Sequence, residues 1–230
     1  MAQLWNVRRH HKTGGSHNRI MKTIHHTILL ALTLLFMAVP PAQAVLYLTG
    51  DANFGPNSIT VDTSTGLGWL NLSETAGLSY QQVLSDTQAG GMFNGFRFAT
   101  VPEVLDLYGS AGISGTGYYP LSTPSIQSLF SLIGTSGIIN GQPGVLALSG
   151  TPSDGGGYFA PAIYVTGGEY LVSDGGFESG GTGYGSTTSY PELSSWLVKA
   201  VPEPMDADFL VFAAAVWCGF MLLHRRKRAI

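Results

Sequence analysis

The chain has 230 residues and a formal net charge of −3, room for one ordinary domain plus accessory segments. The charge is unevenly placed: residues 1–44 hold five Lys/Arg and no acid, residues 225–228 hold four more bases, and residues 45–200 hold 11 Asp/Glu against only Arg97 and Lys199. That acidic middle repels phosphate backbones, which excludes nucleic-acid binding, and its lack of cysteine and histidine excludes a disulfide, a Cys/His zinc site and Ser–His or Cys–His catalysis.

Residues 1–20 are polar and basic without periodicity and read as an extension ahead of the natural start at Met21. Residues 21–44, MKTIHHTILLALTLLFMAVPPAQA, run from a basic start at Lys22 through an apolar stretch at 28–39 to small residues at Ala42 and Ala44. That order is the tripartite secretory signal peptide. Export through the Sec machinery and cleavage by signal peptidase before Val45 are expected.

The segment 45–200 holds 28 of the 31 glycines, so turns and loops should take much of it. Strands are predicted at 45–49, 58–62, 67–72, 145–149, 158–165, 169–173 and 195–200, all short, aromatic or β-branched, and bounded by glycine. Asp51-x-Asn53-x-Gly55 sets oxygen ligands at alternate positions before a turn, with further carboxylates at Asp154 and in the stretch from Asp174 to Glu178. These make calcium a candidate cofactor, against plain Asx turns, because the run lacks the later bidentate glutamate of an EF-hand. No other cofactor is indicated, and no metal-site residues are assigned.

Three helices have readable starts. Ser79 and Gln82 form a capping box with Leu78 and Val83 as its hydrophobic staple. Thr100 and Glu103 form a second box, with Gly109 as the stop. A third helix begins near Thr123-Pro124, lines up Ile126, Leu129, Phe130 and Ile133, and stops at Gly134. Trp69 is expected in the core, a sugar-stacking platform being the other reading. Arg97 should pair with Asp62 or Glu103. Glu103 and Asp106, three apart on one helix face, are the sole candidate acid pair and the basis of an alternative reading as a carboxylate-dependent secreted hydrolase, but nothing beside them completes a catalytic site, and no enzyme is expected. Tyrosines such as Tyr118, Tyr158, Tyr184 and Tyr190 could stack on sugar rings. Residues 174–190 read as a glycine-rich surface loop.

Residues 209–223 are 15 uncharged, apolar positions, about 22 Å as a helix, short of the ~30 Å bilayer core yet compatible with a strained span. Arg225, Arg226, Lys227 and Arg228 within the tail 224–230 resist translocation, leaving the tail cytoplasmic and the domain outside. Two prolines in Val201-Pro202-Glu203-Pro204 hold that run extended. Motif, apolar run and basic tail, together in the final thirty residues, resemble the PEP-CTERM sorting signal. The resemblance implies recognition by an exosortase, a membrane-embedded transpeptidase-like enzyme of exopolysaccharide-producing Gram-negative bacteria. It further implies transient anchoring in the inner membrane, then removal of the tail and release to the cell surface or a biofilm matrix, where exopolysaccharide is a prospective partner.

A second resemblance lies within the domain. VDTSTGLGWLNLSET, SYQQVLS and GFRFATVPEVLDLY, covering about residues 58–110 and more weakly 158–200, resemble a module of exported bacterial proteins that is similar to C-type-lectin-like domains. It implies an α+β fold with two or three short helices beside one twisted antiparallel sheet, the terminal strands lying together. It supplies no activity, but a carbohydrate- or protein-binding surface is the natural alternative to a passive role. From the strands alone an all-β sandwich is the other architecture.

Overall fold

The computed structural model describes residues 44–175 and 183–202. The predicted signal peptide up to Gln43, Glu178, and everything from Glu203 onward lie outside these residues. Among the described residues no helix is long and apolar enough to cross a membrane.

The domain is α+β. Its strands in chain order are β1 (Leu46–Asp51), β2 (Gly55–Asp62), β3 (Leu67–Leu70), β4 (Arg97–Phe98), β5 (Gly117–Pro120), β6 (Gly137–Ile139), β7 (Gln142–Leu148), β8 (Ala162–Thr166), β9 (Glu169–Ser173), β10 (Ser194–Ser195) and β11 (Leu197–Ala200). The helices are α1 (Tyr80–Asp86), α2 (Val101–Ser110) and α3 (Pro124–Ile133), with a 3-10 turn at Leu72–Thr75. They exclude the all-β sandwich.

Both predicted capping boxes form. Ser79 Oγ accepts from Gln82 N–H and Gln82 Oε1 accepts from Ser79 N–H; Thr100 and Glu103 do the same for α2. The third helix ends at Gly134, as its sequence suggests, in a left-handed conformation with φ 74°. Thr123, in contrast, makes no side-chain cap. Gly109 does not stop α2. The helix runs on to Ser110, and Gly112 at φ 81° turns the chain, because the left-handed residue after a helix is the one that needs glycine.

Where one sheet is expected, there are two. The first has five strands in the order β1-β2-β3-β11-β4, antiparallel throughout. The second runs β10-β7-β8-β9-β5 with β6 on β7, antiparallel apart from the two-residue parallel pair of β10 with β7. The terminal strands share a sheet but do not touch, since β2 and β3 stand between β1 and β11. Trp196, alone between β10 and β11, carries the chain across. It donates its backbone N–H to Leu148 O (2.9 Å), accepts from Ala99 N–H (2.8 Å), and donates its indole N–H to Pro161 O (3.2 Å).

Strand β1 is largely exposed, whereas through Ser58–Asp62 of β2, β3 and β11 the first sheet is covered on both faces. On one, Trp69 and Val198 meet Val104, Leu107 and Tyr108 of α2, Ile126, Leu129 and Ile133 of α3, and the second sheet. On the other, Ile59, Val61, Leu70 and Leu197 meet Tyr80 and Val83 of α1 with Phe93, Phe96 and Phe98. Alternation along each strand sorts the two sets. It also explains why Ser58–Asp62 is buried at every position instead of every second one.

Candidate functional site

The register of the first sheet aligns Leu46 with Asp62, Asp62 with Leu67, and Leu67 with Ala200. Three strand spacings of ~4.8 Å put the first residue of β1 and the last of β11 about 14 Å apart at the same end of the sheet. The chain therefore enters and leaves the domain side by side. Both crossings are held by the turn from Asp62 to Gly66, sequence DTSTG.

At the entry, Val45 N–H donates to Thr63 Oγ1 (2.9 Å) and Thr63 N–H donates back to Val45 O (3.2 Å). At the exit, Val201 N–H donates to Gly66 O (2.9 Å). Asp62, fully buried, braces the turn. Its Oδ1 accepts from Ser64 N–H (2.9 Å) and Ser64 Oγ (2.6 Å), and its Oδ2 accepts from Ser110 Oγ (2.9 Å) at the end of α2. The Asp62 backbone oxygen accepts from Gly66 N–H (2.9 Å). Three donors on one carboxylate offset the desolvation that a buried anion suffers. Gly66 sits at φ 66°, which a β-carbon would strain.

Of the residues read as sorting signal, Val201 and Pro202 are described, while Glu203, Pro204 and Arg225, Arg226, Lys227 and Arg228 lie outside. At the front end Ala44 is described and exposed, and Ala42 lies outside. Val201 packs on the α1 face of the sheet over Gly68. A β-carbon on Gly68 would stand 2.6 Å from Val201 Cγ2 and 3.0 Å from Ile59 Cγ2. Gly68→Ala is thus expected to destabilise the domain by about 1–3 kcal/mol through overpacking. The Val201 amide should lose hydrogen-exchange protection first, with thermal unfolding reporting the global loss.

The other candidate groups are engaged elsewhere. Arg97 chooses Glu103, with Nη2–Oε1 at 2.6 Å and Nη1–Oε2 at 2.9 Å, leaving Asp62 to its serines. The guanidinium, with the Thr100 donors, holds the Glu103 carboxyl well below its ordinary value, to about 2. A depressed folded value means the contribution is complete above the unfolded value near 4.5 and is lost as pH falls towards 2. The Arg97 side chain is 54 % exposed, and solvent screening limits the effect to about 1 kcal/mol. Urea unfolding of wild type and Glu103→Gln should differ by about that amount near pH 6 and converge near pH 2. The glutamine keeps one oxygen for the cap and loses the charge together with the second oxygen that accepts from Arg97. Asp106 is exposed on α2, so the two carboxylates do not share an environment.

Asp51, the first residue of the calcium reading, is bound to Lys199 Nζ, and its Oδ1 accepts from Asn53 N–H (2.8 Å). Lys199, followed by that backbone donor, pulls the Asp51 carboxyl below its usual range. The loop is an Asx turn closed by a lysine. Among the described residues no three His, Cys, Asp or Glu side chains group to hold a metal. Trp69 is fully buried, edge-on to Trp196 at 5.8 Å, and offers no platform. Tyr80 is sandwiched between Phe98 (4.1 Å) and Tyr158 (3.6 Å); burial, then the Tyr158 hydrogen bond, pushes its hydroxyl up to about 12. Tyr118 and Tyr190 are exposed, and Tyr190 stands edge-on to Tyr184 at 6.5 Å.

The sequence reading missed Thr63, Gly66 and Ser110. A local signal existed for part of this: an aspartate followed two residues later by serine favours a side-chain-closed turn. Nothing local marks Ser110. Compared with protein-family models, curated proteins and solved structures, the chain matches none.

Proposed function

We propose that this is an exported, non-enzymatic protein of the cell surface or exopolysaccharide matrix of a Gram-negative bacterium. An exosortase reads Val201-Pro202-Glu203-Pro204, after the apolar run 209–223 and the bases Arg225–Arg228 have halted the chain in the inner membrane. The observation that carries this reading is the ordered series of extended Pro-Glu-Pro motif, apolar run and basic tail behind a domain that follows a signal peptide. The geometry supports it in one respect. The motif begins at Val201, directly after the interior strand β11, so it would be presented at the rim of a folded body with no intervening spacer. In finer detail we read the α+β domain as C-type-lectin-like, with its helices packed on antiparallel sheets.

Intact-mass measurement of the protein from a host with its exosortase, and from the same host lacking it, tests the reading. The first sample should begin at Val45 and lack the basic tail; the second should retain it. A tail that persists in both hosts makes the protein an ordinary tethered ectodomain and overturns the proposal. Exposed Tyr190 beside Tyr184 favours a second reading, a carbohydrate-binding surface. A glycan array probed with the full chain should then show binding that Tyr190→Ala removes.

A further inference from the structure

Among the described residues strand β1 is an outer strand, paired with β2 on one side and with no strand on the other. Sheet edges are normally guarded by charge, proline, brevity or a bulge. β1 has a register shift between Thr49 and Asp51, but the stretch before it, Val45-Leu46-Tyr47-Leu48-Thr49, carries neither charge nor proline. Val45, Tyr47 and Leu48 are 53 %, 40 % and 37 % exposed, three of the eight exposed large apolar side chains among the described residues.

The backbone of this edge has a definite phase. Thr63 N–H donates to Val45 O, and the pair is next in register after Leu46 with Asp62. Val45 therefore sits at a hydrogen-bonded position. By antiparallel alternation Tyr47 also turns its groups to β2, while Leu46 and Leu48 turn their N–H and C=O outward.

The geometry points to a docking edge for a second copy of this chain, pairing antiparallel through residues 45–49 about a two-fold axis at Tyr47. Three observations favour self-pairing. The straight segment is symmetric about Tyr47, so Leu46 faces Leu48 of the second copy, and the outward groups of both meet in hydrogen-bonded pairs. Tyr47 then faces its own counterpart at the closer, non-hydrogen-bonded spacing of ~4.5 Å, an aromatic cross-strand pair. Finally, residues 45–200 hold 11 acids against two bases, so two copies carry like net charge and repel where those acids are exposed. This edge is neutral: Asp51 is bound to Lys199 and Asp62 is buried. Like copies can therefore approach along it without direct charge repulsion, and it offers a charged partner nothing to read.

A two-fold axis normal to the sheet sends the chain exits of the two copies to opposite ends. Pairing thus joins released copies or copies on facing surfaces, not neighbours in one membrane. That consequence rests on the sorting reading; the pairing itself does not, and its test involves no processing.

The experiment uses the detergent-purified full chain with Cys218→Ser, so that an introduced thiol stands alone. Tyr47→Cys should oxidise to a covalent dimer at least about tenfold more readily than the control Met92→Cys, which is 62 % exposed. Light scattering should show a wild-type dimer whose dissociation constant Leu48→Lys raises at least about tenfold. Leu48 and Tyr47 are both exposed, so neither variant disturbs the core. Equal cross-linking at the two sites, a wild-type monomer at every concentration, or a dimer indifferent to Leu48→Lys would each overturn the proposal.

Discussion

Trp69→Ala is expected to lower the unfolding free energy by about 3–5 kcal/mol, enough to leave a marginally stable domain largely unfolded. Trp69 is fully buried and among the largest buried side chains. It joins Trp196, itself edge-on to Tyr108 at 6.1 Å, in a chain of perpendicular rings. Those rings link the first sheet, α2 and the crossing between the sheets, so a cavity there loosens three elements at once. Trp69→Phe should cost much less, about 1–2 kcal/mol, because it refills most of the space. It also removes an indole N–H that meets no acceptor among the described residues. Urea unfolding monitored by circular dichroism separates the two variants. Equal losses would show that ring volume is not what Trp69 contributes.

Asp62→Ala should cost about 2–4 kcal/mol, and the loss should appear first at the chain crossings. The substitution removes the shared acceptor that ties Ser64 N–H, Ser64 Oγ and Ser110 Oγ together and leaves a cavity at a fully buried position. Asp62→Asn keeps one carbonyl acceptor and should retain more than half of the stability. The site-specific readout is amide hydrogen exchange: Thr63 and Val201 should open by local fluctuation well before Val145 or Val172 in the second sheet. Uniform loss of protection would mean that Asp62 serves the core alone and does not brace the turn.

Much of the local structure was legible. The helix starts at Ser79 and Thr100 follow from interactions between residues three apart, and they form as read. The strand at 169–173 carries its boundaries in the glycines on either side, Gly168 before it and Gly175 just after. Errors arose where the deciding partner is distant. The strand at Gly117–Pro120 has no strong pattern of its own and exists because β9 offers it a ladder. Gly137–Ile139 is a different case, a local hairpin with β7 whose Asn140-Gly141 turn, both residues at positive φ, is a signal in the sequence that the reading overlooked. Arg97 had two acidic candidates, and the short span from β4 to α2 selected Glu103.

The candidate site divides the same way. By itself the sequence determined the chemical character of the two chain ends, the acidic and thiol-free middle, and the capped helices, because composition and contacts between near neighbours need no fold to act. Only the tertiary structure decided that β11 inserts between β3 and β4, that one turn grips both Val45 and Val201, and that Ser110 reaches Asp62. Those outcomes depend on strand register and on which apolar face meets which helix. Pairing segments more than a hundred residues apart is fixed by burial of the whole sheet rather than by any short run of side chains.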